Sequence, residues 1–253
     1  MQKIAPTNNL AFIEVQEIRM KRVIIIGASS GIGKELAKLF AQNNDKVGIT
    51  GRRIGLLNEL KSKNPDSYFI KSFDITDTKT TVEKLEELTL ELGGLDLIII
   101  SSGTGEINEK LDFEIENRTI HTNVIGFTCV ADWAFNYFEK QKSGHLVAIS
   151  SIGGLRGNGQ APAYNATKAY QINYLEGLRQ KAAKLKTPVF VTDIRPGLVD
   201  TQMAKGEGLF WVMPVEKTAK QIYKAIVGKK KVAYVTKRWR LIAAVLKLAV
   251  IAN

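Results

Sequence analysis

The sequence alternates between apolar runs of strand length and amphipathic stretches of helix length from about residue 22 to residue 235. The first, fourth and sixth runs are almost continuously apolar, as strands covered on both faces are. Strict alternation indicates βαβ units, so we predict an α/β fold in which a doubly wound parallel sheet carries helices on both faces. The predicted strands are 23–27, 46–50, 68–72, 95–100, 144–150, 189–194 and 232–235, and the predicted helices are 32–42, 54–63, 79–91, 108–142, 164–184 and 215–227.

One domain accounts for most of the 253 residues, of which 45% are hydrophobic, because no linker, repeat or low-complexity segment divides the pattern. We predict a Rossmann-type domain over residues 20–236. Residues 1–19 fit either a loose N-terminal extension before Met20 or an extra helix packed on the domain. Residues 237–253 form a basic and apolar segment that we expect to be a C-terminal helix.

The net charge of +11 is concentrated near the C-terminus. Residues 216–247 hold ten Lys or Arg against one acid, Glu216, which leaves about +2 for the rest of the chain. We therefore expect no nucleic-acid partner for the domain. Cys129 is the single cysteine, which excludes a disulfide framework and favours a reducing, cytoplasmic setting, and the N-terminus lacks the apolar run of a secretory signal.

A glycine-rich turn follows the first predicted strand and opens the first helix. Glycines permit a tight turn and the close approach of a ligand, and the helix N-terminus presents free N–H groups to a phosphate. In a βαβ unit this arrangement is typical of dinucleotide binding. The predicted contacts to the cofactor from this loop are Gly27, Ser29, Ser30, Gly31, Ile32 and Gly33.

The end of the second predicted strand carries Arg52 and Arg53, where an acid would bind the free ribose hydroxyls of NAD. Guanidinium groups pair well with phosphate, so we predict NADP (NADPH) as the cofactor in preference to NAD, with Arg52 as the first ligand and Arg53 as the second. Asp74 follows the third strand. Its carboxylate fits an adenine contact and a turn cap equally well.

Tyr164 and Lys168 are four positions apart, so they share one face of a predicted helix. A nearby ammonium favours the phenolate and lowers the pKa of a tyrosine toward the range useful for acid/base catalysis. Ser150 ends the fifth predicted strand, at the sheet edge where α/β proteins bind ligands. We predict that its hydroxyl holds a substrate oxygen.

The glycine loop with Ser150, Tyr164 and Lys168, in this order and spacing, resembles the short-chain dehydrogenase/reductase family over essentially residues 22–235. The resemblance implies a single Rossmann-type domain with about seven strands, assembled as a homodimer or homotetramer. It implies that Asn123 relays protons and steadies the site, and that Lys168 also binds the nicotinamide ribose. It further implies cofactor contacts from Asp74 at the adenine and from Pro196, Gly197, Val199 and Thr201 at the nicotinamide.

One segment departs from the family pattern. Where the family usually has Asn-Asn-Ala-Gly after the fourth strand, this chain has Ile100, Ser101, Ser102 and Gly103. The retained Gly103 implies that the backbone still approaches the adenosine ribose, and serine supplies part of the missing hydrogen bonding.

The resemblance implies an enzyme that interconverts a ketone or aldehyde and an alcohol by hydride transfer, with Tyr164 as acid/base and no metal. An alternative is a catalytically silent NADP-binding sensor, although the presence of both Tyr164 and Lys168 argues against it. Bulky apolar residues in the loop 200–213 suggest an apolar or acyl substrate and equally suit a subunit contact. The basic, apolar tail suits either peripheral contact with the inner membrane surface, as in a membrane-surface adaptor, or packing on a neighbouring subunit.

Overall fold

The computed structural model describes residues 21–202 and 211–248, and seven strands of this part of the chain form one parallel sheet. The strands are β1 Arg22–Ile26, β2 Lys46–Gly51, β3 Tyr68–Ser72, β4 Leu97–Ile100, β5 Gly144–Ile149, β6 Val189–Pro196 and β7 Val232–Val235. Their order in the sheet is β3-β2-β1-β4-β5-β6-β7. Because the order reverses between β1 and β4, a crevice opens there at the carboxyl edge of the sheet.

Helices cover both faces of this sheet, and strand residues alternate between the two layers. In β1, Val23 and Ile25 belong to one core and Ile24 and Ile26 to the other, and all four are buried. The α/β fold with a doubly wound parallel sheet is therefore confirmed. The helices are α1 Gly31–Gln42, α2 Ile54–Ser62, α3 Thr78–Leu92, α4 Phe113–Ile120, α5 Phe127–Gln141, α6 Pro162–Leu185, α7 Val215–Val227 and α8 Lys237–Leu248.

The predicted helix 108–142 is wrong in two respects. It begins only at Phe113, because the Asn108 side chain bonds the backbone of Asp112 in both directions and Asp112 caps α4 by accepting from the Glu114 N–H. Between α4 and α5 the chain widens into a π-helical segment, His121–Gly126. Such widened turns frequently mark functional sites, and this one contains Asn123.

Helix α8 packs on its own domain, against β7 and the turn that follows β5. Trp239 and Ala243 are buried on one side of α8, whereas Leu241 and Val245 are exposed on the other. The side chains of Trp239 and Ala243 are thus covered within the same chain, which neither interpretation of the tail anticipated. No helix among the described residues has the length and apolarity needed to cross a membrane. The predicted extension 1–19 lies outside the described residues.

Candidate active site

A cleft of about 1630 Å³ lies along the carboxyl edge of the sheet. It is lined by every sequence-predicted site residue except Gly33 and Asn123, which lie beside it and contact residues of its wall. The site residues lining it include Gly27, Ser29, Ser30, Gly31, Ile32, Arg52, Arg53, Asp74, Gly103, Ser150, Tyr164, Lys168, Pro196, Gly197, Val199 and Thr201. The topology therefore brings the residues predicted to bind a nucleotide, at one end, and those predicted for acid/base catalysis, at the other, into a single cavity.

The glycine loop at the nucleotide end is too tight for side chains. Gly27 has a φ of +86°, and a Cβ there would lie 2.7 Å from the backbone nitrogen of Ser102. A Cβ on Gly33 would lie 2.2 Å from the Gly27 carbonyl oxygen. Backbone can therefore approach a ligand closely at the start of α1, which is the geometry that a pyrophosphate needs.

A further polar atom in this region fits a nucleotide. The Ser102 hydroxyl is buried and has no hydrogen-bond partner within the described residues. Because unsatisfied buried hydroxyls are uncommon, a ribose hydroxyl is a suitable partner for it. The residues present thus fit a dinucleotide, including in the segment that departs from the family pattern.

The two arginines at the end of β2 point differently. Arg53 donates to the Ser29 hydroxyl (Nη2 to Oγ, 2.9 Å) and the Ser30 hydroxyl (2.6 Å), so its guanidinium lies over the loop. Arg52 is largely exposed and pairs with Asp74 at 3.4 Å. The residue expected to be the second phosphate ligand is thus the one placed against the loop.

Asp74 behaves as a turn cap in this structure. One carboxylate oxygen accepts from the backbone N–H and the hydroxyl of Thr76, both at 3.0 Å, and the other accepts from Arg52. These hydrogen bonds and the Arg52 charge outweigh partial burial and hold the Asp74 pKa below its usual range. The contacts of the predicted cap are thus present, and the adenine contact of Asp74 stays a prediction.

At the acid/base end, Ser151 and not Ser150 meets Tyr164. The Ser151 Oγ accepts from the Gly153 N–H at 3.0 Å. A Cβ on Gly153 would lie 3.3 Å from this Oγ and 3.6 Å from Tyr164 Cε1, so the two side chains are neighbours. The Ser150 hydroxyl donates instead to the Asp193 carboxylate at 2.5 Å. Successive side chains at a strand end point to opposite sides, so only one of the two serines can face the tyrosine.

Burial controls the titration of Tyr164 and Lys168. Desolvation raises the Tyr164 pKa, and the neighbouring Ser151 hydroxyl only partly opposes this. Desolvation also lowers the Lys168 pKa to about 8, against the opposing charge of Asp193. The expected lowering of the tyrosine pKa by the lysine is not the dominant effect, because Lys168 Nζ lies 5.8 Å from the tyrosine ring centroid and bonds other groups.

Lys168 is connected to Asn123 through Gln171, which sequence reasoning missed. Lys168 Nζ donates to Gln171 Oε1 at 3.0 Å, and Gln171 Nε2 donates to the Asn123 carbonyl at 2.9 Å. The Asn123 side chain is fixed by the Thr104 backbone and the Thr167 hydroxyl. The position of Gln171, three residues after Lys168 on the same helix face, was the available signal.

Comparison with known proteins agrees with this geometry. The model of the short chain dehydrogenase family matches residues 21–209. An uncharacterized oxidoreductase of Myxococcus xanthus is 32% identical over 192 residues, 74% of this chain and 75% of that protein. A second, from Mycobacterium tuberculosis, is 31% identical over 194 residues, 74% of this chain and 76% of that protein.

Solved structures share the fold. A short-chain dehydrogenase from Streptomyces avermitilis superposes with a TM-score of 0.80 at 22% identity, covering 92% of this chain and 93% of that chain. ElxO, solved with NADP bound, gives a TM-score of 0.75 at 24% identity over 85% of this chain and 97% of that chain.

Proposed function

The chain belongs to the short-chain dehydrogenase family, and from this premise we propose that it is an NADP-dependent oxidoreductase that reduces the carbonyl group of a small molecule to an alcohol. The observation that carries the proposal is the position of the Ser151 hydroxyl beside Tyr164 at the carboxyl edge of the sheet, with Lys168 Nζ 5.8 Å from the tyrosine ring centroid. Two hydroxyls that meet in a cleft can together hold one carbonyl oxygen.

Each side chain then has a distinct task. Ser151 donates to the substrate oxygen and orients it, while Tyr164 transfers its phenolic proton to that oxygen. The raised Tyr164 pKa favours this direction, because it keeps the phenol protonated until the oxygen becomes basic. The chain of Lys168, Gln171 and the Asn123 carbonyl holds the site in register. When bound, the reduced nicotinamide supplies the hydride.

This proposal moves the serine role from Ser150 to Ser151. The Ser150 hydroxyl has a single proton and donates it to Asp193, so it is not available to a carbonyl oxygen. The other catalytic assignments, Asn123, Tyr164 and Lys168, are retained.

The preference for NADP over NAD rests on Arg53. Its guanidinium lies against Ser29 and Ser30 at the start of α1, where it supplies a positive charge beside the expected ribose phosphate. The structural neighbour ElxO binds NADP, which adds support from a distant relative. The nicotinamide end is formed by Pro196, Gly197, Val199 and Thr201.

Enzymes of this family bind small molecules and commonly form oligomers. The exposed apolar residues Phe113, Ile120 and Ile125 on and after α4 support a homodimer or homotetramer here. An apolar or acyl substrate and a cytoplasmic location stay predictions, and most of the loop expected to cover the substrate lies outside the described residues. Nothing in the described part of α8 supports membrane contact.

The first test is NADPH oxidation with a panel of ketones, aldehydes and acyl thioesters. We expect Tyr164→Phe to lower kcat by about 10²- to 10⁴-fold, because the substituted ring cannot donate a proton. Its Kd for NADPH should remain close to that of the wild type. Retained turnover in Tyr164→Phe would contradict the proposed mechanism.

The two serines provide a matched pair of variants. Ser151→Ala removes the hydroxyl that faces Tyr164 and should lower kcat/KM about 100-fold or more. Ser150→Ala removes a hydroxyl that faces Asp193 and should have a clearly smaller effect. A larger loss in Ser150→Ala than in Ser151→Ala would return the substrate-orienting role to Ser150.

A further inference from the structure

A buried ion pair lies directly behind the active site. Asp193 on β6 is fully buried, and its Oδ2 accepts from Arg195 Nε at 2.7 Å. Arg195, also buried, donates through Nη1 to the Tyr234 hydroxyl at 3.0 Å. Buried charges are costly unless they are paired and hydrogen-bonded, so a pair placed here requires a reason beyond packing.

The carboxylate of this pair holds Ser150, the middle residue of the segment 149–151, whose two outer residues contact Lys168 and Tyr164. Asp193 Oδ1 accepts from the Ser150 hydroxyl at 2.5 Å. The residue before, Ile149, offers its carbonyl oxygen to Lys168 Nζ at 3.1 Å, and the residue after, Ser151, lies beside Tyr164. Asp193 therefore fixes the residue between the lysine contact and the tyrosine contact.

The charge of Asp193 also reaches Lys168. The hydrogen-bond acceptors of Lys168 Nζ are neutral, namely the Ile149 carbonyl and the Gln171 side chain. Burial favours the neutral amine and lowers the Lys168 pKa, whereas the Asp193 carboxylate favours the ammonium and raises it. Besides Asp193 and Lys168, the charged or titratable groups in this region are Arg195 on β6, Tyr234 on β7, and Tyr164 and Arg179 on α6.

We propose that Asp193 is a positioning residue of the active site, which aligns Ser151 with Tyr164 through Ser150 and provides the buried negative charge that keeps Lys168 an ammonium. The inference rests on the proposed function. It assigns two separable actions to one carboxylate, a geometric one transmitted by the Ser150 hydroxyl and an electrostatic one transmitted through space.

The decisive variant is Asp193→Asn, which keeps the shape of the side chain and removes its charge. Without that charge Lys168 loses its proton at lower pH. The alkaline limb of the kcat/KM profile for carbonyl reduction should therefore move down by about one pH unit.

Two control variants distinguish the effect of the Asp193 charge from the effect of the Ser150–Asp193 hydrogen bond and from a general loss of stability. Ser150→Ala removes the hydrogen bond and keeps the carboxylate, so it should lower kcat without moving the alkaline limb. Asp96→Asn breaks the Arg22–Asp96 pair, which joins the starts of β1 and β4 at the opposite edge of the sheet. It should reduce stability and leave the pH profile unchanged.

If Asp193→Asn does not fold, a double variant takes its place in the experiment. Asp193→Asn with Arg195→Gln removes both charges and leaves no unpaired buried cation. Because Asp193 is the charge that acts on Lys168 most strongly, the double variant should keep a downward shift of the alkaline limb.

A binding experiment tests the electrostatic action without turnover. Lys168 is expected to contact the cofactor, so the Kd for NADPH, measured by its fluorescence, should rise as Lys168 loses its proton. In Asp193→Asn this rise should begin at lower pH than in the wild type, and in Lys168→Met it should be absent. Catalysis that survives Tyr164→Phe would overturn the proposed function while leaving this binding result intact. An alkaline limb and a binding profile that are the same in Asp193→Asn and the wild type would overturn the role of Asp193.

Discussion

Arg53 donates hydrogen bonds to Ser29 and Ser30, while its neighbour Arg52 extends toward solvent and pairs with Asp74. At the scale of single residues, the difference between the two is orientation. Both are guanidinium groups at the same strand end, but only one lies over the start of α1. The same holds for Ser150 and Ser151, which face Asp193 and Tyr164.

The arginine pair leads to a prediction on cofactor choice. Arg53→Ala should raise the Kd for NADPH about tenfold, as the loss of one charge-assisted contact does, and change the Kd for NADH little. Fluorescence titration with both nucleotides measures this. Arg52→Ala is the matched control and should have the smaller effect on NADPH. Equal weakening of NADPH and NADH by Arg53→Ala would count against a phosphate contact.

At the scale of elements, α8 is joined to the cleft by one side chain. A Cβ on Gly197 would lie 2.1 Å from the Trp239 indole, so the ring packs on the backbone just after β6. Trp211 contacts the same indole edge-on, with ring centroids 6.1 Å apart. Because Gly197 and its neighbours form the expected nicotinamide end, we expect the docking of α8 to support the cofactor site as well as the fold.

Trp239→Ala should therefore lower the free energy of unfolding by about 3 kcal/mol, through lost contacts and a residual cavity. It should also weaken NADPH binding. Leu241→Ala on the exposed side of α8 is the control, and its change should stay within about 0.5 kcal/mol. Urea unfolding of both variants tests this, and similar losses in the two would show that α8 is not held by the indole.

At the scale of the whole molecule, two apolar cores enclose a sheet that also contains buried polar groups. His145 at the start of β5 bonds the Thr192 hydroxyl on β6 at 2.7 Å. Desolvation and nearby lysines lower its pKa from 6.5 to about 4. The folded state thus takes up this proton less readily than the unfolded chain.

Because of this difference, we expect the folded state to become less stable as the pH is lowered. Above about pH 6.5 His145 is neutral in both states, and below it the unfolded state binds the additional proton, so stability falls until about pH 4. From about pH 7.5 to about pH 5 the loss from this residue should be about 2 kcal/mol. Urea unfolding at both pH values should show a smaller decrease in the free energy of unfolding for His145→Gln than for the wild type. If the decrease is the same in both proteins, His145 is not its cause.

Local sequence patterns determined the element types, the parallel sheet and most of the site. Apolar periodicity depends on neighbours a few residues apart, so strands 68–72 and 232–235 and helix 215–227 agree with the structure at both ends. The spacing of Tyr164 and Lys168 follows from helix geometry in the same way. The glycine loop could be located from the sequence because it directly follows the first predicted strand.

Contacts between distant segments were decided by the tertiary structure. Asp193 contacts Ser150 although the two residues are 43 positions apart in the sequence. Gln171 contacts the Asn123 carbonyl over a sequence separation of 48 positions. Trp239 reaches Gly197 only after β7 has joined the sheet. No local pattern encodes such pairings, because which serine faces the tyrosine and which arginine faces the phosphate loop depend on the packing of the strands and helices around them.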